Sequence, residues 1–144
     1  IKPEDLRHME IDNPNVLAEV RMQFALYEQA LVTNDVAALD SFFLDDARSI
    51  RYGGGENLYG YSQIKAFRAA RSPAGLARTL ERTVITSYGR DFAIASTLFR
   101  RQSEPGKIGR QMQSWVRMDK GWRIVAAHVS MIEVPSKVGS GLEI

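Results

Sequence analysis

The sequence predicts an α+β fold: three helices and one short strand, then a four-stranded antiparallel meander. Three observations lead there. Apolar residues recur at spacings of three and four from residue 17 to residue 31. After Pro73 that spacing gives way to four long β-type stretches. Hairpin-like links, YGRD (88–91), SEPGK (103–107) and MDKGW (118–122), separate those stretches. Helices first and strands afterwards is the layout of an α+β domain. A strongly curved, mostly antiparallel sheet wrapped around the long first helix would make a cone with one open end. The expected organisation is a polar arm at 1–12, a single domain at 13–134 and a polar tail at 135–144.

Each element has a local reason. Asn13 can cap the first helix and Pro14 suits its first position. Leu17, Val20, Phe24, Tyr27 and Leu31 form its apolar stripe. Asp35 can cap a second helix that turns Leu39, Phe42 and Phe43 inward. ARSIRYG reads as a short strand with Ile50 and Tyr52 on one side, Ser49 and Arg51 on the other. YSQIKAFRAARS reads as a third helix capped by Ser62, with Ile64, Phe67 and Arg71 on one face and Arg68 beside them. On the last strand, alternation puts Trp122, Ile124, Ala126, His128 and Ser130 on the inner face. The convex face then carries Arg123, Val125, Ala127, Val129 and Met131. Such an apolar row marks an interface, so a homodimer through the convex sheet face is expected.

Composition narrows the function. The chain has 144 residues, no cysteine and two histidines. Disulfides, thiolate catalysis and zinc–thiolate sites are excluded, and no metal or other cofactor is expected. A net charge of +2 is too small to argue for nucleic acid, and no apolar run reaches membrane-spanning length. A cytoplasmic protein is expected. Charge is uneven: residues 1–46 hold ten acidic and three basic side chains, the remainder seven and sixteen. Fourteen of the nineteen basic residues are arginine, whose fork matches carboxylates, so a small anionic substrate comes into view.

The stretch RYGGGENLYG raises the question of phosphate binding. It lacks the Gly-Lys-Ser/Thr ending of a phosphate loop, and Glu56 would repel a phosphate. Gly53, Gly54 and Gly55 instead permit a tight turn, with positive φ if needed, at the cavity mouth. Glu56 and Asn57 would sit at its lip. Tyr27 reads either as a core tyrosine or as a hydroxyl aimed into the cone. Arg51 faces either the cavity, where it must meet an acid or an incoming anion, or solvent on an edge strand. Arg71 is either a salt-bridge partner at the helix end or a second carboxylate clamp. Gln113 and Trp115 share one strand face. His128 and Ser130 offer polar atoms to the pocket; His128 packs there or serves as acid or base. Ser130 and His128 lie too close along one strand for a nucleophile–base pair, so no covalent intermediate is expected.

The order of elements, with GYSQIKAFRAAR and GWRIVAAHVS, resembles the nuclear transport factor 2-like and SnoaL-like superfamily. ALYEQAL, IRYGGGENLYGY, FRAARSPAGLARTLERTVITSYGRDFA and GRQMQSWVR narrow the resemblance to the AtzH-like, or HpxZ-like, branch. It covers about residues 11–132. It implies catabolism of carboxylated ureas, in oxalurate and cyanuric acid breakdown, and association with an amidase. The activity implied is cofactor-free hydrolysis of a linear dicarboxyurea-type amide to allophanate. The resemblance favours the cavity-facing reading of Tyr27, and Tyr27 and Arg51 become the expected catalytic residues. Glu56, Asn57, Arg71, Gln113, Trp115, His128 and Ser130 are expected to bind substrate. Two other functions remain open at this point: a non-catalytic anion binder serving an amidase, and an isomerase or cyclase acting on an apolar ring, as in ketosteroid isomerase and SnoaL-like proteins.

Overall fold

The computed structural model describes residues 9–134. The expected tail at 135–144 and residues 1–8 of the expected arm lie outside the described residues. Helix α1 spans Pro14–Val32, and the Asn13 side chain accepts hydrogen bonds from the backbone N–H groups of Asn15 and Val16 at 3.1 and 3.2 Å. Two donors that the first turn cannot satisfy internally are thereby paired. The helix buries Val16, Val20, Phe24, Tyr27, Ala30 and Leu31. Leu17 is only half-buried, because the stripe enters the core through Val16.

Helix α2, Val36–Phe42, starts where the Asp35 carboxylate accepts the Ala38 N–H, and Leu39, Phe42 and Phe43 point into the core as expected. Strands β1 (Ile50–Tyr52) and β2 (Asn57–Tyr59) form a hairpin around the glycine run. Helix α3 spans Tyr61–Ala70. Its cap is not Ser62 but Gly60, at φ 90°, a conformation that costs glycine little and other residues much. The meander follows as β3 (Thr79–Tyr88), β4 (Phe92–Arg100), β5 (Lys107–Met118) and β6 (Gly121–Glu133).

The strand order is β2-β1-β6-β5-β4-β3. Only the β1–β6 pairing is parallel, so the open sheet is mixed but mostly antiparallel, with the helices packed on it. One core joins the layers, with Leu39, Ile64 and Ile124 at 0–1% exposure. Burying each such side chain contributes about 1.5–3 kcal/mol. Residues 9–12 run against the end of β3: Ile11 bridges to Tyr88, and Asp12 exchanges hydrogen bonds with the Ser87 backbone.

Two register irregularities matter. In β3 the pairing with β4 slips between Glu81 and Val84, where Arg82 takes a left-handed φ of 51°. In β6, Ser114 pairs with Ala126 and Trp115 with Ile124, leaving Val125 as the extra residue of a bulge. A one-residue bulge exchanges the two faces beyond it. The inner face therefore carries Trp122 and Ile124 and then Ala127, Val129 and Met131, in register with Gln113, Gln111 and Gly109. The outer face carries Ala126, His128 and Ser130. This corrects the expected convex row: Ala127, Val129 and Met131 face inward.

Candidate functional site

The hairpin between β1 and β2 sets the first side of the site. Arg51 is opposite Leu58 on β2 and Ala127 on β6, so it points to the inner face and is buried. The Gly53 N–H donates to the Glu56 carbonyl at 2.9 Å, closing the turn. The Glu56 carboxylate folds back, and the Arg51 Nη1 donates to its Oε2 at 2.8 Å. A Cβ on Gly53 would fall inside that carboxylate, so any larger residue would push the Glu56 side chain off this position. None of Gly53, Gly54 and Gly55 has a positive φ, which corrects the conformational half of the expectation.

Arg51, Glu56, Phe67, Arg71, Leu76 and Arg101 line a cavity of about 320 Å³, with Val129–Met131 of β6 beside them. The Arg51 guanidinium lies 5.4 Å from the Phe67 ring centroid. Arg71 follows α3 in extended conformation, which swings it from the helix face towards the cavity. Its Nε and Nη2 are buried and have no protein partner among the described residues. Burial, reinforced by the neighbouring Arg68, pushes its pKa down, while the nearby Tyr27 acts in the opposite sense. A guanidinium does not give up its proton, so the buried cation is left without a compensating charge among the described residues.

Tyr27 is 5% exposed and packs edge-on against Phe42, ring centroids 5.8 Å apart. It therefore holds the core and stands within electrostatic reach of Arg71 at once. Gln113 and Trp115 lie deeper, fully buried, with the Trp115 indole donating to the Gln113 oxygen at 3.0 Å. Asn57 is exposed and opposite Tyr52, on the outer face. His128 is exposed on that outer face, paired with Met112 and Tyr52. The Ser130 hydroxyl accepts from the Arg110 guanidinium there, at 3.0 Å. The structure thus brings Arg51, Glu56 and Arg71 together, with Ser130 also in the lining although its hydroxyl bonds Arg110; Tyr27 is not among the lining residues, and Asn57 and His128 face away.

Several inward-facing arginines had no local signal. Arg68 is buried and donates to Asp40 at 3.0 Å, 28 residues away in sequence. Arg78 holds Glu28 with two bonds, at 2.6 and 2.9 Å, and also donates to Gln111. Arg101 reaches the cavity from the turn after β4. An excess of arginine was the one hint available. Among the described residues no three His, Cys, Asp or Glu side chains are grouped as a metal site requires. No helix among them is long and apolar enough to cross a membrane.

Three helices on a mixed open sheet, with a pocket beside the sheet's inner face, make the fold that nuclear transport factor 2-like and cystatin-like proteins share. The AtzH-like family matches residues 9–135, nearly the whole chain, and the chain belongs to that family. A protein of unknown function from Pectobacterium atrosepticum is 54% identical, covers 92% of this chain and 99% of its own, and superposes with a TM-score of 0.83. A cystatin-like fold protein from Burkholderia xenovorans is 43% identical, with coverage of 88% and 99% and a TM-score of 0.84. A nuclear transport factor 2-like superfamily protein from Salmonella enterica, at 24% identity, coverage of 90% and 98% and a TM-score of 0.63, shares the fold. No curated protein matches the chain.

Proposed function

We propose that the cavity takes a small, planar, doubly anionic amide and hydrolyses it without a cofactor, the substrate being a carboxylated urea of the dicarboxyurea type. The observation that carries this reading is Arg71: a partly buried guanidinium with two orphaned donors, beside Arg51 in a cavity of about 320 Å³. Each charge-assisted hydrogen bond to a carboxylate contributes about 1.5–3 kcal/mol. Two clamps favour a dianion over a neutral analogue. In the reaction, a water oxygen adds to one terminal carboxyl carbon and the bond from that carbon to nitrogen breaks. One water proton ends on the nitrogen, giving allophanate and bicarbonate. Tyr27 donates its hydroxyl hydrogen bond to the reacting group, and Arg51 neutralises the charge that gathers on oxygen.

A second reading, a carrier that delivers such an anion to an amidase, is favoured by one feature. Glu56, the carboxylate lining the cavity, is occupied by Arg51 and so is not free to take a proton from water. The arginine lining speaks against an isomerase or cyclase of apolar rings. Binding of 3-oxoglutarate, in which CH₂ replaces each urea NH, and release of allophanate from freshly made dicarboxyurea separate the readings. Binding with turnover supports the hydrolase and binding without turnover the carrier; neither overturns both.

Assembly as a homodimer through the outer sheet face, in the cytoplasm, completes the proposal. Val84 and Met112 are more than half exposed there, and Met112 lies beside Ile50, Ile94 and Ala126. A monomeric mass by light scattering at micromolar concentration speaks against the dimer.

A further inference from the structure

Arg100 and Arg101 are adjacent but face opposite ways. Arg100 pairs with Glu81 on the outside at 2.9 Å. Arg101 turns in and lines the same cavity as Arg51 and Arg71. Its guanidinium lies 5.0 Å from the centroid of the Phe99 ring, which is fully buried. That ring is fixed by the sheet itself: Phe99 is opposite Gly109, and any Cβ at Gly109 would fall within the ring. Arg78 lies over the ring too, at 4.5 Å, already engaged by Glu28.

Arg101 is not so engaged. The carboxylate it meets, on Glu104, stands 3.6 Å from its Nη1, and its Nε is buried without a partner among the described residues. Burial first, and then Arg78, pushes its pKa down; Glu104 pulls the other way. Three arginines thus line the cavity, against one glutamate, and leave an excess of two positive charges. They approach from opposite sides. Arg51 comes from β1 and Arg101 from the end of β4, with β6 and β5 between those strands in the sheet.

We propose that Arg101 is the specificity-determining clamp for the second carboxylate of the ligand, the first being held by Arg51 and Arg71. The assignment rests on the anion-binding reading above and deepens it: the ligand carries one carboxylate at each end. The stacked Phe99 ring limits the guanidinium's freedom before the ligand arrives, so little order has to be created on binding.

The test compares glutarate with glutaramate, in which one carboxylate becomes a neutral carboxamide, by calorimetry on the full chain. The unsubstituted protein should bind glutarate about tenfold or more tightly than glutaramate. Arg101→Gln should weaken glutarate about tenfold or more and change glutaramate less than about threefold. Arg101→Lys, which keeps the charge but not the fork or the stacking, should fall between them and guards against a folding failure in the glutamine variant. Unchanged glutarate affinity in Arg101→Gln, or equal losses for both ligands, overturns the role of Arg101 and leaves the anion-binding reading standing. If the unsubstituted protein binds neither ligand, the anion-binding reading itself fails and the clamp with it.

Discussion

Two sets of inward arginines differ in what they meet. Arg68 and Arg78 are sealed among helices and sheet, and each has a carboxylate within hydrogen-bond distance, Asp40 at 3.0 Å and Glu28 at 2.6 Å. Arg71 and Arg101, at the cavity, make no carboxylate contact that close among the described residues: Arg101 meets only Glu104, at 3.6 Å, and both leave buried donors unpaired, as Arg68 does at its Nε alone. An ion pair inside a protein repays its desolvation only when geometry is good, and breaking one leaves a stranded charge. The first set therefore belongs to the fold. The second is a standing cost to the fold that an anion would relieve, which is what the proposed anion site requires.

Breaking the paired set should give the largest effect. Glu28→Gln leaves Arg78, whose side chain is 1% exposed, without its counter-ion, and stability in urea should fall by about 3–5 kcal/mol. A loss below about 1 kcal/mol would erase the distinction between the sets. Tyr27→Phe keeps the ring against Phe42 and removes only the hydroxyl. Turnover of dicarboxyurea should drop about a hundredfold, with the melting temperature almost unchanged. A variant that melts far lower would make Tyr27 a core residue alone.

Arg71→Met sharpens the comparison because its two effects should have opposite signs. Glutarate affinity should fall about tenfold or more, while the melting temperature holds or rises. Destabilisation instead would show that Arg71 belongs with the structural pair. His128→Ala should do least. His128 lies across the sheet from the cavity, so glutarate affinity should stay within about twofold of the unsubstituted value, a change under about 0.5 kcal/mol. A larger loss would mean that the outer face communicates with the pocket.

The fold was legible because its signals are periodic and local. The α1 stripe, the Asn13 and Asp35 caps and the three hairpin links each announce themselves within a few residues. The hairpin partner β2 was not, since three residues after a glycine run are too few to show alternation. Arg51 was legible as one of two alternatives, and its place beside Ala127 selects the inward one. His128 and Ser130 were misplaced for a definite reason. Val125 bulges within GWRIVAAHVS, a run with neither glycine nor proline to flag it, and alternation counted from Trp122 then reports the wrong face. Arg68, Arg78 and Arg101 escaped because their surroundings are assembled from segments far apart in the chain. The pairing of Arg78 with Glu28 spans 50 residues, and no window of sequence contains it.

The slip in β3 bears on how this protein keeps apart from other chains. A sheet's outermost strand offers unpaired amides and carbonyls to any passing strand, the first step towards fibrous aggregation. Here β3 is that strand. Arg82 at φ 51° breaks its straight run, flanked by exposed Glu81 and Thr83, and residues 9–12 cover its far end. At the opposite border, β2 extends for three residues only, too little to template a neighbour. Sideways growth of the sheet is obstructed at both borders. Deleting Arg82 would straighten the longer one, and that variant should precipitate on concentration where the unaltered chain stays in solution.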